Sequence, residues 1–528
     1  MIHINLMKLQ LIRRIIYFFS IGLLIIGLPF SRAMISIGTV AMLIGWLLDP
    51  KVIEKFKVFL HSKAALAFSS IFLMHIIGLL YTSDFDYALL DIRTKVPLLL
   101  FPMIMISSPA LSTSELRNFL LLFAATATAA ISYSLFLFLS QDLTDFRQAF
   151  PFISHIRLSL EVLIAISIMM FYGHSKYAGV PKWIKVILLI LPIYLIWAMS
   201  VLELMTGIVI FGVGVLLFMA RYILDNKNKK APWVGLIAGG GVVIIIVIYL
   251  VNTISAYNNA PNYSLDRHSA DAVDLKTTQG NDYEHIPELY QIENGNYIGL
   301  YICRKELRQE WNKRSKLDYD GKDLKNQELS MTLIRYLNSL GLRKDAEGVA
   351  QLSDADIANI EKGIGNVEFS KKYSLKKRIY KLIWEYNLYK SGDIAYGHSL
   401  VQRITLWKTS FLLISENPIF GVGTGDIKKA FENKFIETNS VLKGSGLRSH
   451  NQYLSITVAL GFVGLLVFLF SFIYPATVLK MWSFSPYFYL FVIMSMSMLW
   501  EDTIESQVGL TTYAFFSSIY LFARKKIG

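Results

Sequence analysis

The stretch VILLILPIYLIWAM, residues 186–199, contains no charged side chain. Residues 15–30 and 242–251 are similarly apolar, and with their flanks such runs approach the ~20 residues that a helix needs to cross a bilayer. Over the 528 residues, 54% are hydrophobic and 17% are charged, whereas soluble globular domains carry about 25% charged residues. The sequence therefore predicts an all-α polytopic membrane protein.

The same pattern predicts about twelve transmembrane helices along the chain, at roughly residues 14–31, 33–48, 64–81, 95–109, 116–139, 158–173, 183–200, 204–222, 233–251, 453–479, 484–500 and 508–523. A long polar block separates the ninth span from the tenth. We therefore expect transmembrane helices 1–9 in residues 1–252, a large loop domain in residues 253–450 and helices 10–12 in residues 451–528. Within the loop, Ser353 precedes an apolar-periodic stretch as a capping residue, and residues 373–389 alternate as in an amphipathic helix, so a mainly helical loop is predicted.

The distribution of charge predicts the orientation. Residues 253–450 hold 28 Lys/Arg and 25 Asp/Glu, while the rest of the chain holds 24 and 14 and so carries +10 of the net +13. With the N-terminus in the cytoplasm, nineteen of those 24 basic residues fall on the cytoplasmic side and five on the outer side. The positive-inside rule then places both termini in the cytoplasm and the loop in the periplasm. Charge placed in this way gives no reason to expect a nucleic-acid partner.

Two polar motifs stand near the predicted outer ends of spans. His450, in the sequence SHNQYL at 449–454, enters the tenth span. Histidine titrates near neutral pH and is therefore a suitable general base, although a histidine at a membrane interface can also simply cap a helix. Arg403 and Trp407 lie four residues apart and so share one face of a helix. The planar fork of arginine suits a phosphate group.

Further candidates lie elsewhere on the predicted outer side. Arg157 opens the sixth span and either pairs with Glu161 or binds substrate. The carboxylates Glu501 and Asp502, between spans eleven and twelve, could neutralise the arginines or position an acceptor hydroxyl. Lys95 adds another cation. The single cysteine, Cys303, excludes an internal disulfide and a cysteine-based zinc site, and no carboxylate cluster has the spacing of a known metal site.

The glycine run GVGTG at 421–425 could form a nest of backbone donors for an anion. It lacks the Lys-Ser/Thr that follows in a nucleotide-binding loop. Asp426, directly after it, would repel a phosphate. A structural turn before a helix is therefore the favoured interpretation.

Taken together, these motifs resemble the signature of the O-antigen ligase and O-antigen polymerase superfamily. The resemblance lies in RxxxW at 403–407, NPIFGVGTG at 417–425, HNxYL at 450–454 and GFVGL at 461–465. It implies a lipid-donor glycosyltransferase of GT-C-like architecture in the bacterial inner membrane. It also implies that His450 activates the acceptor and that Arg403 and Arg157 bind the lipid diphosphate. From their positions in the sequence, we further name six possible acceptor-binding or structural residues: Asn451, Tyr453, Glu501, Asp502, Trp407 and Lys95.

The expected partners are a polyprenyl-diphosphate-linked glycan donor, a glycan or lipid A-core-type acceptor, and membrane lipids. Because the diphosphate is already an activated leaving group, neither a cofactor nor a metal ion is expected. A ligase that moves finished glycan onto an acceptor is the leading interpretation, and a polymerase that joins repeat units is the alternative. A polytopic transporter is the rival class, but transporters tend to bury ionisable residues within their spans, and here the notable charges gather near one face.

Overall fold

The structure, a computed structural model, describes residues 2–141, 146–174, 179–225, 231–266, 268–269, 271–286, 291–371, 374–390 and 399–524. The first eleven helices are α1 Ile2–Phe30, α2 Arg32–Leu47, α3 Val52–His61, α4 Lys63–Ile77, α5 Phe85–Lys95, α6 Pro97–Ser107, α7 Thr113–Ser140, α8 His155–His174, α9 Lys182–Val201, α10 Met205–Asp225 and α11 Ala231–Asn258. The next eleven are α12 Arg304–Arg314, α13 Leu329–Ser339, α14 Ala346–Ala350, α15 Asp354–Glu361, α16 Val367–Ser370, α17 Leu375–Lys390, α18 Ser399–Glu416, α19 Ile427–Glu437, α20 Gln452–Val478, α21 Ser485–Trp500 and α22 Gln507–Leu521. Two short antiparallel strands, β1 Ile292–Glu293 and β2 Asn296–Tyr297, are also described, as are short 3₁₀ helices at Gly78–Tyr81, Phe146–Ala149, Met481–Ser483 and Thr503–Glu505.

The predicted all-α polytopic class is confirmed. Six described helical segments are long and apolar enough to cross a membrane: Gln10–Phe30, Lys63–Tyr81, Thr113–Ser140, His155–His174, Lys182–Val201 and Gln452–Val478. The pair α2 and α3, bent by 108°, would make a seventh, and two shorter apolar helices cover Met205–Arg221 and Ser485–Trp500. Twelve spans and a GT-C-like architecture stay predictions. Of the basic residues that set the predicted orientation, Lys176, Lys227, Lys229, Lys230, Lys525 and Lys526 lie outside the described residues.

The chain divides into two compact units, one made of residues 1–221 and 402–528 and the other of residues 222–401. The first unit contains the apolar bundle, whose core side chains come from nearly every long helix. The second unit has its own core, built around Trp311, Leu333 and Leu337, which are fully buried. Helix α15 begins with Ser353 as its N-cap in a capping box with Asp356, as predicted, and the predicted helix near residues 373–389 is present as α17.

Helix α20 is broken at Gly461, whose φ of 65° is not helical. The break leaves the carbonyls of Val458 and Ala459 without helical partners, and they accept instead from the amides of Val422 and Gly423 at 2.9 Å each. Beyond the break, Phe462 N donates to Pro418 O at 2.8 Å and Val463 N to Ile419 O at 3.2 Å. The segment 417–423 thus replaces the lost helical bonds one for one, which an apolar environment requires.

The glycine run therefore serves as a structural turn. Gly421 and Gly423 have φ of 68° and 100°, and a Cβ at Gly421 would overlap the backbone of Ala459. The Asp426 carboxylate accepts from Ser83 N at 2.7 Å and Asp84 N at 3.0 Å, so it fixes the turn after α4 to the start of α19. This contact also keeps the pKa of Asp426 low: burial acts to raise it, but the hydrogen bonds from residues 82–84 outweigh burial.

Candidate functional site

The short segment 501–506, between α21 and α22, lies at the centre of the candidate site. Glu501 and Asp502 are both more than 90% buried, although two carboxylates with no partners would be too costly to bury. Their partners come from α8, α18 and the start of α20, so the packing of the bundle brings together residues that are far apart in the sequence.

Glu501 connects the two main candidates, Arg403 and His450. Its Oε1 accepts from Arg403 Nη2 at 2.9 Å, and its Oε2 lies 3.8 Å from His450 Nδ1. Arg403 Nε also donates to the main-chain oxygen of Trp500 at 3.3 Å, which fixes the guanidinium in orientation. Burial acts to raise the pKa of Glu501, but the contact with His450 and the charges of Arg157 and Arg403 outweigh it and keep that pKa below its usual value. Glu501 is therefore ionised at neutral pH.

Asp502 holds the backbone around His450. Its carboxylate accepts from His450 N and Asn451 N at 3.1 Å each and from Ser455 Oγ at 2.6 Å. These donors lie at the N-terminus of α20, where backbone amides lack helical acceptors and a negative charge is favoured. His450 has a φ of 47°, an uncommon conformation for a residue with a Cβ. Asp502 thus fixes the position from which the histidine side chain projects, and that side chain is 33% exposed.

Arg157, at the start of α8, joins the same cluster. Its Nη2 donates to the main-chain oxygen of Asp502 at 3.1 Å, while its buried Nη1 has no hydrogen-bond partner among the described residues. The predicted alternative, an ion pair between Arg157 and Glu161, is not formed between these two described residues; Glu161 instead accepts from Thr512 Oγ1 at 3.5 Å. Arg157, Arg403, His450 and Glu501 therefore meet in one place.

Three of the residues named as possible acceptor-binding or structural groups make structural contacts. Asn451 caps α20 by accepting from Leu454 N at 3.1 Å, and it donates to Leu499 O at 3.0 Å. Tyr453 donates to Ser495 O at 3.1 Å, which ties α20 to α21. The Trp407 ring lies 5.9 Å from that of Trp500, and its buried Nε1 has no hydrogen-bond partner within the part of the chain that the structure describes.

Lys95 belongs to a second buried network. Its Nζ lies 2.5 Å from Asp91 Oδ1 and 2.8 Å from Glu505 Oε2, and the side chain is fully buried. Arg448 Nη1 lies 3.4 Å from the same Glu505 oxygen and donates to Tyr87 OH at 2.9 Å. Burial raises the pKa of Asp91 to about 6, whereas for Glu505 the charges of Lys95 and Arg448 outweigh burial and hold its pKa well below the usual range.

Gln452, two residues after His450, contacts the second network. Its Nε2 donates to Glu505 Oε1 at 2.8 Å, and its Oε1 accepts from Ile504 N at 2.8 Å. Sequence reasoning named neither Gln452 nor Arg448 as a site residue. Two features of the sequence could have indicated the second network. Asp91 and Lys95 lie four residues apart on α5, and Arg448 lies two residues before His450.

The described residues contain no group of three or more His, Cys, Asp or Glu side chains placed to hold a metal ion. The polar groups that they do bring together are two guanidiniums, one partly exposed imidazole and the carboxylates of Glu501 and Asp502. Such a set can bind an anion and accept a proton.

Part of the chain matches the sequence model of a known family. The sequence model of the family described as O-Antigen ligase matches residues 364–469, which include Arg403, Trp407 and His450 but not Arg157 or Glu501. No curated protein matches the chain. The family and the apolar helices together indicate a multi-pass protein of the bacterial inner membrane with a ligase- or polymerase-type function. The match confirms the predicted resemblance: residues 364–469 are similar to the O-antigen ligase family, within the O-antigen ligase and polymerase superfamily.

Proposed function

We propose that this protein transfers glycan from a polyprenyl-diphosphate carrier to an acceptor hydroxyl at the periplasmic face of the inner membrane, as a ligase. The single observation that carries the proposal is the bridge of Glu501 between Arg403 and His450, at 2.9 Å and 3.8 Å. It holds a diphosphate-binding group and a candidate base next to each other.

In the proposed reaction, the acceptor oxygen forms a bond to the anomeric carbon of the glycan. The bond from that carbon to the diphosphate oxygen breaks, and the leaving diphosphate keeps the electron pair. A proton on Nδ1 of His450 would face Glu501, which leaves Nε2 free to take the acceptor proton. Arg403 and Arg157 would stabilise the charge that develops on the leaving diphosphate.

The cations at the site would do what a metal ion does in other transferases, so the proposal includes no metal. Arg403 is oriented before the donor binds, since Glu501 and the Trp500 carbonyl both fix it. Arg157 contributes a guanidinium that has an unused donor beside the same carboxylates.

The test is transfer by the purified full chain from lipid-linked glycan in the presence of excess chelator. The proposal expects a glycan product and free polyprenyl diphosphate. No product in any buffer would contradict the transfer, and activity that returns only with magnesium or manganese would contradict the metal-free mechanism.

The polymerase remains the second candidate because it uses the same donor and the same chemistry. The glycan phenotype of a deletion strain distinguishes the two. Accumulated lipid-linked polymer indicates a lost ligase, whereas single repeat units on the acceptor indicate a lost polymerase.

A further inference from the structure

A cavity of about 580 Å³ lies at the other end of the bundle from the candidate site. Arg13, on helix α1, lies in the cavity wall. It precedes Ser31 by eighteen residues, so the two residues are about 27 Å apart along the helix axis. The next residue, Arg32, accepts through its carbonyl from Gln507 at 3.4 Å, two residues after Glu505. The cavity is therefore separate from the site of the proposed transfer, and its volume lies within the range of small-molecule pockets.

The cavity wall carries more positive than negative charge. Arg13, Arg14 and Lys55 line it together with Asp49 and Glu115. Asp49 is shared between Arg13 at 2.6 Å and Lys55 at 2.5 Å, and Arg14 pairs with Glu115. Three cations and two carboxylates leave one positive charge, which a ligand with a single negative charge would balance.

The rest of the wall fits a lipid. Tyr17, Phe18, Met42 and Trp46 contribute apolar surface, and Trp46 Nε1 donates to Ser107 Oγ at 2.8 Å. Tyrosine and tryptophan are enriched at the level of lipid headgroups. The neighbouring outer faces of the helices carry exposed apolar side chains, among them Leu11, Ile15, Ile53 and Phe56. A ligand with a charged head and an acyl chain could occupy the cavity and continue along these faces.

We propose that this cavity binds the headgroup of an anionic phospholipid of the phosphatidylglycerol type. Its phosphodiester carries one negative charge and would pair with the cations, while its glycerol hydroxyls would donate to Asp49 and Glu115. Basic pockets between membrane helices are typical binding sites for such headgroups. The headgroup of phosphatidylcholine is zwitterionic, with no net charge, so it would leave the excess positive charge of the cavity unbalanced. It also has no hydroxyl that could donate to Asp49 or Glu115.

The experiment uses the full chain in nanodiscs with a photoactivatable phosphatidylglycerol, and the cross-linked peptides are mapped. We expect labelling within residues 10–18, 42–55 and 104–115. Unlabelled phosphatidylglycerol should compete, whereas phosphatidylcholine and inorganic phosphate should not. Lys55→Gln and Arg14→Gln should each lower the labelling by roughly fivefold, the factor expected for loss of one interfacial charge.

Two further variants keep the test decisive. Lys57→Gln removes an exposed charge from the same helix as Lys55 without touching the cavity wall, and it should leave the labelling unchanged. Ala110→Trp fills the cavity from an exposed position and removes no ion pair, so it should lower the labelling while the melting temperature is kept. Labelling spread evenly along the helices, or equal in all variants, would overturn the proposal. Competition by inorganic phosphate would show a free-anion site instead of a lipid site.

Discussion

At the scale of single residues, the candidate site depends on Glu501. This carboxylate is buried, accepts from Arg403 and lies beside His450, and its low pKa keeps it charged at neutral pH. The stabilisation that its charge gives the folded site is present above the ordinary glutamate pKa and is lost as the pH falls through the lowered value. A change of the Glu501 charge is therefore not expected near neutral pH.

His450→Ala should abolish transfer while donor binding stays largely intact, because a base acts on the acceptor. Removal of a positioned base typically costs ~10²–10⁴-fold in rate. The measurement is glycan transfer by membranes that contain equal amounts of folded variant. His61→Ala, an exposed histidine bonded to the Lys57 carbonyl in its own helix, is the matched control. Near-normal transfer by His450→Ala would leave the base unassigned and direct attention to Glu501 and Asp502.

Arg403→Lys keeps the charge but cannot donate both to Glu501 and to the Trp500 carbonyl from one rigid fork. We expect donor use to weaken well beyond a conservative change, measured as a higher KM for lipid-linked glycan. Arg157→Ala should behave like Arg403→Ala if Arg157 also contacts the diphosphate. Arg117→Lys serves as the control. In the described hydrogen bonds, the Arg117 guanidinium donates only to the adjacent Asn118. An unchanged KM in both site variants would remove the arginines from the proposed role.

At the scale of elements, residues 417–423 form backbone hydrogen bonds with α20 at its break. These bonds explain why the sequence carries two separate glycine motifs, GVGTG at 421–425 and GFVGL at 461–465. The break lies nine residues after the first residue of α20. His450 contacts Asp502 just before that first residue. The loop 417–423 and the helix therefore fold as one element, and the geometry of the site depends on it.

Gly461→Ala should destabilise this element. At φ 65° and ψ −169° a side chain is strained by about 1–3 kcal/mol, and the new Cβ would overlap the carbonyl oxygen of Ile419. We expect a lower melting temperature in detergent together with reduced transfer. In Gly212→Ala the Cβ meets no atom of the described residues within 4 Å, so that variant should match the parent protein. An unchanged melting temperature for Gly461→Ala would show that the break tolerates a side chain.

The second unit has a pH-sensitive group at Lys344. Its Nζ donates to Tyr297 O, Leu300 O and Asn338 Oδ1 at 3.1, 3.0 and 2.8 Å, with no carboxylate among these partners, and burial lowers its pKa to about 7. Between that value and the unfolded value of about 10.4, the unfolded chain binds a proton that the folded unit does not. The stability of the unit should therefore rise with pH over this window.

Cys303 provides the measurement, since it is buried and is the only cysteine in the chain. The rate of thiol labelling, corrected for the reactivity of an unstructured peptide, reports how often the unit opens. We expect this corrected rate to fall between pH 7 and 9 in the full-length protein. The dependence should vanish in Lys344→Met and persist in Lys316→Met, which changes an exposed lysine. A corrected rate that does not vary with pH in the parent protein would refute the prediction.

At the scale of the whole molecule, the orientation in the membrane is still a prediction from charge. Asn326 is an exposed residue at φ 64° in a turn of the second unit, and it suits the insertion of a reporter. A reporter that works only in the periplasm should be active there and inactive when fused after Gly528. The physical reason is the excess of nineteen basic residues against five. Activity of a cytoplasm-only reporter at Asn326 would overturn the topology and the proposed reaction with it.

The sequence by itself determined the helical membrane class, the resemblance to the superfamily and the helix start at Ser353, because apolar runs, motifs and capping residues act locally along the chain. Only the tertiary structure decided which polar groups meet. Glu501 reaches Arg403 across 98 positions, Arg157 reaches Asp502 across 345, and Lys95 reaches Glu505 across 410. Helical periodicity fixes contacts three or four residues apart. Pairing across a bundle depends instead on how helices pack and on the need to satisfy every buried charge, and no local pattern encodes that partner choice.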